Sequence, residues 1–371
     1  MNCTVCSRCG KCDAAKATQI ADDGLSELAV RFRPRPGLGL SADLGTTTIV
    51  ARVYDLTTGA VVRTARAYNP QRAVAADVMG RIAAAADADE RRRLGEMLRS
   101  TLAACRGGLP VTEAVVVGNT AMLGFLVNED PSPFATAPFQ AKRLFGERIE
   151  LDGVPTLFPR CAHAFFGADA VAAILASGLC SREDTELFID IGTNGELALR
   201  KDGRLTVTSV AAGPAFERPG ISGSTLVSAL ADALANGSVD ATGLAVGPLA
   251  DGLTQSDIRA VQLAKAAMAA GFKRLLALTD TRLSEVKRLS IAGGFGRALD
   301  LAKAARVGLF PSELLPVAHS LGNLAIEGAS ALLLDPTLAD DADRLARQSV
   351  HLELGGDPLF SDLFISSMSF S

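Results

Sequence analysis

Short apolar runs alternate along this chain with polar turns and with longer stretches of helical spacing. One run leads into Asp43-Leu44-Gly45-Thr46-Thr47-Thr48, continues as Ile49-Val50-Ala51-Arg52-Val53-Tyr54-Asp55, turns by Gly59 and returns at Val61-Val62, the pattern of a β-hairpin. The same pattern recurs at Leu187-Phe188-Ile189-Asp190-Ile191-Gly192-Thr193-Asn194-Gly195-Glu196-Leu197-Ala198-Leu199. Ala114-Val115-Val116-Val117 predicts a buried strand ending at Gly118-Asn119-Thr120, and Leu289-Ser290-Ile291-Ala292 predicts another that runs into Gly293-Gly294-Phe295-Gly296. Helices are expected from about Val74 to Arg106 with a break at Gly95, over Phe165 to Leu179, over Asp257 to Met268 with Ser256 as N-cap, and over Leu321 to Leu332. A further helix is expected from Asp335-Pro336 to about Gln348, then a strand over Val350 to Leu354. Residues 128–160, with Pro131, Pro133, Pro138, Pro155 and Pro159, are expected to form an irregular excursion and a candidate partner surface.

The hairpin bases carry the chemistry. Each offers a carboxylate, a glycine and hydroxyls, groups that can hold a phosphate chain and a hydrated Mg²⁺. Asp43, Gly45, Thr46, Thr47 and Thr48 form one such set, and Asp190, Gly192, Thr193 and Asn194 the other. Ordinary hairpins contain the same residue types, so it is the repetition that matters: two Asp-x-Gly-Thr hairpins and a Gly-Gly loop point to two similar lobes closing on one nucleotide. Asn119 and Thr120, at a strand end, are candidate phosphate or water contacts or a plain turn. Gly213 lies in the loop Ala211-Ala212-Gly213-Pro214-Ala215-Phe216-Glu217, whose Glu217 reaches nucleotide or Mg²⁺ or is structural.

The 371 residues leave room for two domains with appendages, and a net charge of −4 argues against a general nucleic-acid binder. No run approaches the roughly 18 apolar residues of a membrane span, and cysteines stand where a signal peptide needs an apolar core, so a cytoplasmic location is expected. Four of the seven cysteines, Cys3, Cys6, Cys9 and Cys12, follow the spacing C-x2-C-x2-C-x2-C. An odd total so clustered does not read as a disulfide framework. Thiolates at this spacing can converge on one metal centre, and the readings are a [4Fe–4S] cluster, zinc, or free thiols. The run is similar to the bacterial ferredoxin pattern with a shorter last gap and no following proline, which favours Cys3, Cys6 and Cys9 over Cys12. Cys105, Cys161, Cys180 and the scattered His163, His319 and His351 read as structural. The linker 15–37, ending Arg31-Phe32-Arg33-Pro34-Arg35-Pro36-Gly37, reads as an exposed tether.

Taken together, the two hairpins and the Gly-Gly loop resemble the ATPase core of the actin, hexokinase and DnaK-chaperone superfamily over residues 38–335. The resemblance implies an α/β, two-lobed ATPase of duplicated ribonuclease-H-like lobes behind a short Cys-rich segment. The hairpins then stand as first and second phosphate loops, and Gly293, Gly294 and Phe295 as the adenosine loop. Asp169 falls where DnaK-type chaperones orient the attacking water; its alternative is a helix cap. The helix with Arg259, Gln262 and Lys265 flanks the adenine in that superfamily, or presents a solvated face.

Finer motifs narrow the resemblance. Asn69-Pro70-Gln71 with Asp77-Val78, Gly118-Asn119-Thr120, Gly167-Ala168-Asp169-Ala170, the loop from Ala211 to Glu217 and the tail Leu354-Gly355-Gly356-Asp357-Pro358-Leu359-Phe360 are similar to ATP-dependent reductive activators of corrinoid proteins, over residues 38–371. The best-known members carry a longer ferredoxin-like domain where this sequence has residues 1–14.

That resemblance implies segments 1–14 (iron–sulfur), 15–37 (linker), 38–184 (lobe I), 185–315 (lobe II) and 316–371 (second connecting helix and tail). It implies ATP, Mg²⁺ and a [4Fe–4S] cluster as cofactors, with Asp169, Asp43 and Asp190 as catalytic carboxylates. It further implies, as partners, a corrinoid protein or corrinoid-dependent methyltransferase and an upstream low-potential electron donor, with a homodimer left open. Activation of another enzyme such as a 2-hydroxyacyl-CoA dehydratase, a small-molecule kinase of the same fold and an actin-like scaffold stand as alternatives.

Overall fold

The computed structural model describes residues 26–137, 139–213, 215–216, 221–250, 252–294 and 298–370. They divide into two compact units. The first takes the described residues up to Gly178 together with Leu324–Arg347; the second takes Leu179–Asn323 and the residues from Gln348 onward.

Each unit is built on a mixed sheet, as the expected α/β class requires. In the first, strands β1 (Leu38–Leu44), β2 (Thr48–Asp55), β3 (Val61–Tyr68), β4 (Val111–Gly118), β5 (Glu147–Leu151) and β6 (Val154–Phe158) lie in the order β3-β2-β1-β4-β6-β5. In the second, β7 (Glu186–Ile191), β8 (Gly195–Lys201), β9 (Arg204–Val210), β10 (Arg288–Gly293), β11 (Ala318–Gly322) and β12 (Val350–His351) lie in the order β11-β10-β7-β8-β9-β12. The strand directions repeat. β1–β2–β3 and β7–β8–β9 are antiparallel meanders, while β4 and β10 pair parallel to β1 and β7. The central strands are buried on both faces: Ala42 and Leu44 on one side of β1 with Ser41 on the other, and Ile189 and Ile191 on one side of β7 with Phe188 on the other.

The helices are α1 (Val78–Ala84), α2 (Ala88–Arg106), α3 (Thr120–Leu126), α4 (Ala168–Ala176), α5 (Gly223–Ala235), α6 (Gln255–Leu278), α7 (Leu301–Val307), α8 (Leu324–Leu334), α9 (Leu338–Gln348) and α10 (Pro358–Ser366). None of the helices searched among the described residues is long and apolar enough to cross a membrane.

Several boundaries differ from the sequence reading. The break between α1 and α2 falls at residues 85–87 rather than at Gly95, because Asp87 is an N-cap that accepts from the amides of Asp89 and Glu90 at 2.9 Å. Gly95 stays inside α2, where a Cβ would stand 2.6 Å from the Phe125 carbonyl oxygen. The excursion 128–160 contains the β5–β6 hairpin. Its turn is Asp152-Gly153, with φ of 51° and 78°, the two positive angles of a tight hairpin turn. The N-cap of α6 is Thr254, in a capping box with Asp257, rather than Ser256. The strand after α9 is only Val350–His351.

In the first unit α4 and α8 meet backbone to backbone. A Cβ on Gly328 would fall 2.1 Å from the Ala172 carbonyl oxygen and 2.8 Å from its Cβ. Gly328→Ala is therefore expected to destabilise the protein by about 1–3 kcal/mol through forced separation of the two helices. Gly124→Ala on α3, whose Cβ would meet only the Glu129 Cβ at 3.7 Å, is the neutral control. Urea unfolding of the two variants checks the contrast.

Candidate functional site

In the first unit the β1–β2 turn is held from below. A Cβ on Gly45 would lie 2.5 Å from the Thr48 carbonyl oxygen, so the turn is tight enough to require glycine. Asn69 Nδ2 donates to the Gly45 carbonyl at 3.0 Å, and the Asn69 amide donates to the Thr47 carbonyl at 2.8 Å. Arg81 on α1, fully buried, donates from Nη2 to the Thr46 carbonyl at 2.8 Å, from Nε to the Ala75 carbonyl at 3.0 Å and from Nη1 to Gln71 Oε1 at 3.2 Å. Asn69-Pro70-Gln71 thus braces the hairpin. The buried arginine was not singled out by sequence reasoning; its signal was an arginine on the apolar side of a short helix beginning after Asp77.

The end of β4 closes on the same turn. Asn119, the N-cap of α3, accepts from the Met122 amide at 3.0 Å and donates from Nδ2 to Thr46 Oγ1 at 3.1 Å. Thr120 Oγ1 donates to the His163 carbonyl at 3.0 Å, tying β4 to the loop ahead of α4. A Cβ on Gly167, the N-cap of α4, would fall 2.4 Å from Asn119 Cα and 2.4 Å from Asp169 Oδ1. Thr46, Asn119 and the start of α4 are therefore contiguous, and Asp43, next to last in β1 and paired with Val117, is buried.

Asp169 sits in the first turn of α4 without capping it; its Oδ1 accepts from the amide of Ala170 at 2.9 Å. Desolvation among the surrounding protein atoms outweighs that bond and raises the carboxyl to about 6. Cys161, buried nearby, is pushed up to about 12, chiefly by the same exclusion of water.

The second unit repeats the strand-end geometry. Asp190 is next to last in β7, the Gly192 amide donates to the Asn194 carbonyl at 3.0 Å, and Thr193 is buried. Gly293, with φ of 131°, pairs with Ile191, and its Cβ would fall 2.3 Å from the Ile191 carbonyl oxygen. Gly118 stands in the same relation to Leu44 in the first sheet. Gly294 and Gly213 have open space where a Cβ would stand. Phe295 and Glu217 lie outside the described residues.

Residues 38–182 match the family description "RACo middle region", and residues 184–222 and 252–371 match "C-terminal domain of RACo the ASKHA domain". The chain belongs to the RACo family. It is similar to the corrinoid activation enzyme RamQ of Eubacterium limosum, at 28% identity over 91% of this chain and 71% of that protein. It is also similar to the [Co(II) methylated amine-specific corrinoid protein] reductase of Methanosarcina barkeri, at 23% identity over 62% of this chain and 54% of that protein. A solved reductive activator for corrinoid,iron-sulfur protein matches with a TM-score of 0.85 at 28% identity, over 91% of this chain and 67% of that one. The RACo-family chain thus spans about half the length of one curated relative and about seven-tenths of the other.

On α6 of this RACo-family chain, Gln262 and Lys265 are buried rather than solvated. Gln262 Nε2 donates to the carbonyls of Thr242 at 2.8 Å and Met368 at 2.9 Å, and Lys265 Nζ donates to the Ser369 carbonyl. Both side chains are buried by the last residues of the chain, and Lys265 lies 5.0 Å from the centroid of the Phe370 ring. Desolvation, then the charge of Lys273, lowers the amine to about 8. Only Arg259 of that trio is exposed. Cys3, Cys6, Cys9 and Cys12 lie outside the described residues, whereas Cys105 and Cys161 are buried and Cys180 is exposed.

The raised carboxyl on α4 has a stability signature. The folded chain holds the Asp169 proton to higher pH than the unfolded chain does, so its contribution is complete below pH ~4 and is lost as pH rises through about 6. Asp169→Asn, which never ionises, is expected to exceed the wild type in stability at pH 7.5 by on the order of 1–2 kcal/mol. The two proteins should converge near pH 4. Unfolding midpoints across that range check it.

Proposed function

We propose that this chain reductively activates a corrinoid protein, returning its Co(II) to Co(I), the state that accepts a methyl group. The observation that carries the reading is the match of nearly the whole of residues 38–371 to the RACo family, whose relatives bear names for this reaction.

The chemistry asks for an energy source. For a one-electron step, about 60 mV corresponds to roughly 1.4 kcal/mol, so a gap of a few hundred millivolts needs on the order of 5 kcal/mol or more. Bound Mg-nucleotide supplies that free energy through hydrolysis. In this reading Asp43 and Asp190 hold Mg²⁺ through water. Gly45, Thr46, Thr47 and Thr48 on one unit, and Gly192, Thr193 and Asn194 on the other, bind phosphates. Gly213, Gly293 and Gly294, with Phe295, receive the nucleoside. The open Cβ positions at Gly213 and Gly294 support this assignment.

Asn119 holds the Thr46 hydroxyl in place and so orients the first hairpin. Asp169 accepts a proton from the attacking water. A carboxyl raised to about 6 is matched to that task near neutral pH. Cys3, Cys6, Cys9 and Cys12 are the proposed ligands of an iron–sulfur relay, here a [4Fe–4S] cluster, which passes single electrons. The remaining partners in this reading are an upstream low-potential donor and a second copy of the chain, in the cytoplasm.

The test is made anaerobically with reconstituted protein, a strong reductant, MgATP and a Co(II)-corrinoid protein. Cobalt reduction is read optically, and phosphate release is measured in parallel. Co(I) is expected only when ATP is present. Asp169→Asn should lose roughly 10²-fold in phosphate release while remaining folded. Phosphate transfer to a small hydroxyl compound without corrinoid reduction would replace this reading with a kinase. ATP-dependent reduction of a dehydratase in place of the corrinoid protein would move the reading to that partner.

A further inference from the structure

The stretch leading into β1 reads as a free tether in sequence, but from Ser26 onward it is bonded to the first unit. The amide of Glu27 donates to the Ala176 carbonyl at 2.8 Å, and Ser26 Oγ donates to the same oxygen at 3.2 Å. The amide of Arg31 donates to Asp335 Oδ2 at 3.0 Å, and that of Arg33 to the Leu334 carbonyl at 3.0 Å. Arg35 donates from its amide to the Leu56 carbonyl at 2.8 Å and from Nη2 to the Leu333 carbonyl at 2.5 Å, while its Nε pairs with Glu113.

Three of the acceptors are helix-end carbonyls, and Asp335 directly follows α8. Ala176 closes α4, and Leu333 and Leu334 close α8. The last carbonyls of a helix have no partner within it, and a cation there also meets the negative end of the helix dipole. The strap supplies both. Its donors are alternate residues 31, 33 and 35, and Pro34 and Pro36 fill positions between and beyond them, where no N–H is needed. The sequence is therefore built for one-sided bonding of an extended chain.

We propose that residues 26–35 position the segment before them by tying it to the C-terminal ends of α4 and α8, so that a shift of α4 begun at Asp169 is delivered to that segment. This rests on the proposed function, in which Asp169 acts at the nucleotide. Seven residues separate Asp169 from Ala176, about 10 Å along one helix. The contact of Gly328 with Ala172 makes α8 follow α4, so the strap is fastened to both members of one pair.

Amide hydrogen exchange on the full chain, with and without MgATP, tests the coupling. Calorimetry on the same samples records nucleotide binding. The amides of Glu27, Arg31 and Arg33 are expected to be protected without nucleotide, with rates that change at least about fivefold on binding. Unprotected amides, or protection that ignores a nucleotide seen to bind, would overturn the coupling and leave the function standing. Absence of nucleotide binding would overturn both.

A second arm uses Glu27→Pro with Arg31→Pro, which deletes two strap donors at exposed positions. Phosphate release should stay within about twofold of wild type while ATP-dependent corrinoid reduction falls at least about tenfold. Reduction at the wild-type rate, or equal loss of both activities, would overturn the proposal.

Discussion

The first unit depends on how closely α8 approaches α4. Helices that pack through side chains keep their axes well apart, and a Gly-to-Ala contact lets the backbones touch. Two polar contacts then fix α8 against the sheet on either side of Gly328. Glu327 accepts a forked pair of bonds from Arg52 of β2 at 2.8 and 3.0 Å, and Ser330 bonds Ser41 of β1 at 3.0 Å. The pair is nearly buried, and breaking one partner of such a pair typically costs about 3–5 kcal/mol. The position of α4, and so of Asp169, is thereby tied to that of α8.

The functional surface is costly for the same reason. The glycines at the ends of β4 and β10 exist so that two strand ends can come within contact of their neighbours, Leu44 and Ile191. In the first unit the start of α4 closes on Asn119 and the Gly118 carbonyl, and the burial of Asp169 there raises its carboxyl. A group kept part-way to neutral in the folded chain lowers its stability at neutral pH.

Much of this was legible in the chain. The repeated Asp-x-Gly-Thr hairpins gave both sheets their central meanders, because strand, turn and return strand are local patterns. Gly118-Asn119 could be assigned to a strand end for the same reason. Arg81 could not, since its value lies in meeting the carbonyls of Thr46 and Ala75, a contact that only packing creates. The β5–β6 hairpin had a readable signal in Asp152-Gly153, which the surrounding prolines obscured. Gln262 and Lys265 followed the usual rule for polar helix positions and broke it, because the chain end returns to cover them. Asp357, the α10 N-cap, helps to hold that end through Arg274 at 2.7 and 2.9 Å.

A mechanical link can transmit no more free energy than holds it in place. The strap is fastened by a handful of hydrogen bonds to the α4 and α8 ends, each worth about 0.5–1.5 kcal/mol net, with the Arg35 contacts at the upper end because they carry charge. Their sum is several kcal/mol, the same order as the roughly 5 kcal/mol that an uphill electron transfer of a few hundred millivolts requires. Under the proposed coupling, a weaker attachment would slip before it moved its load. A much stronger one would gain nothing, because the nucleotide could not outbid the rest of the fold. Backbone donors suit this purpose, since their reach is fixed by the chain itself rather than by a flexible side chain.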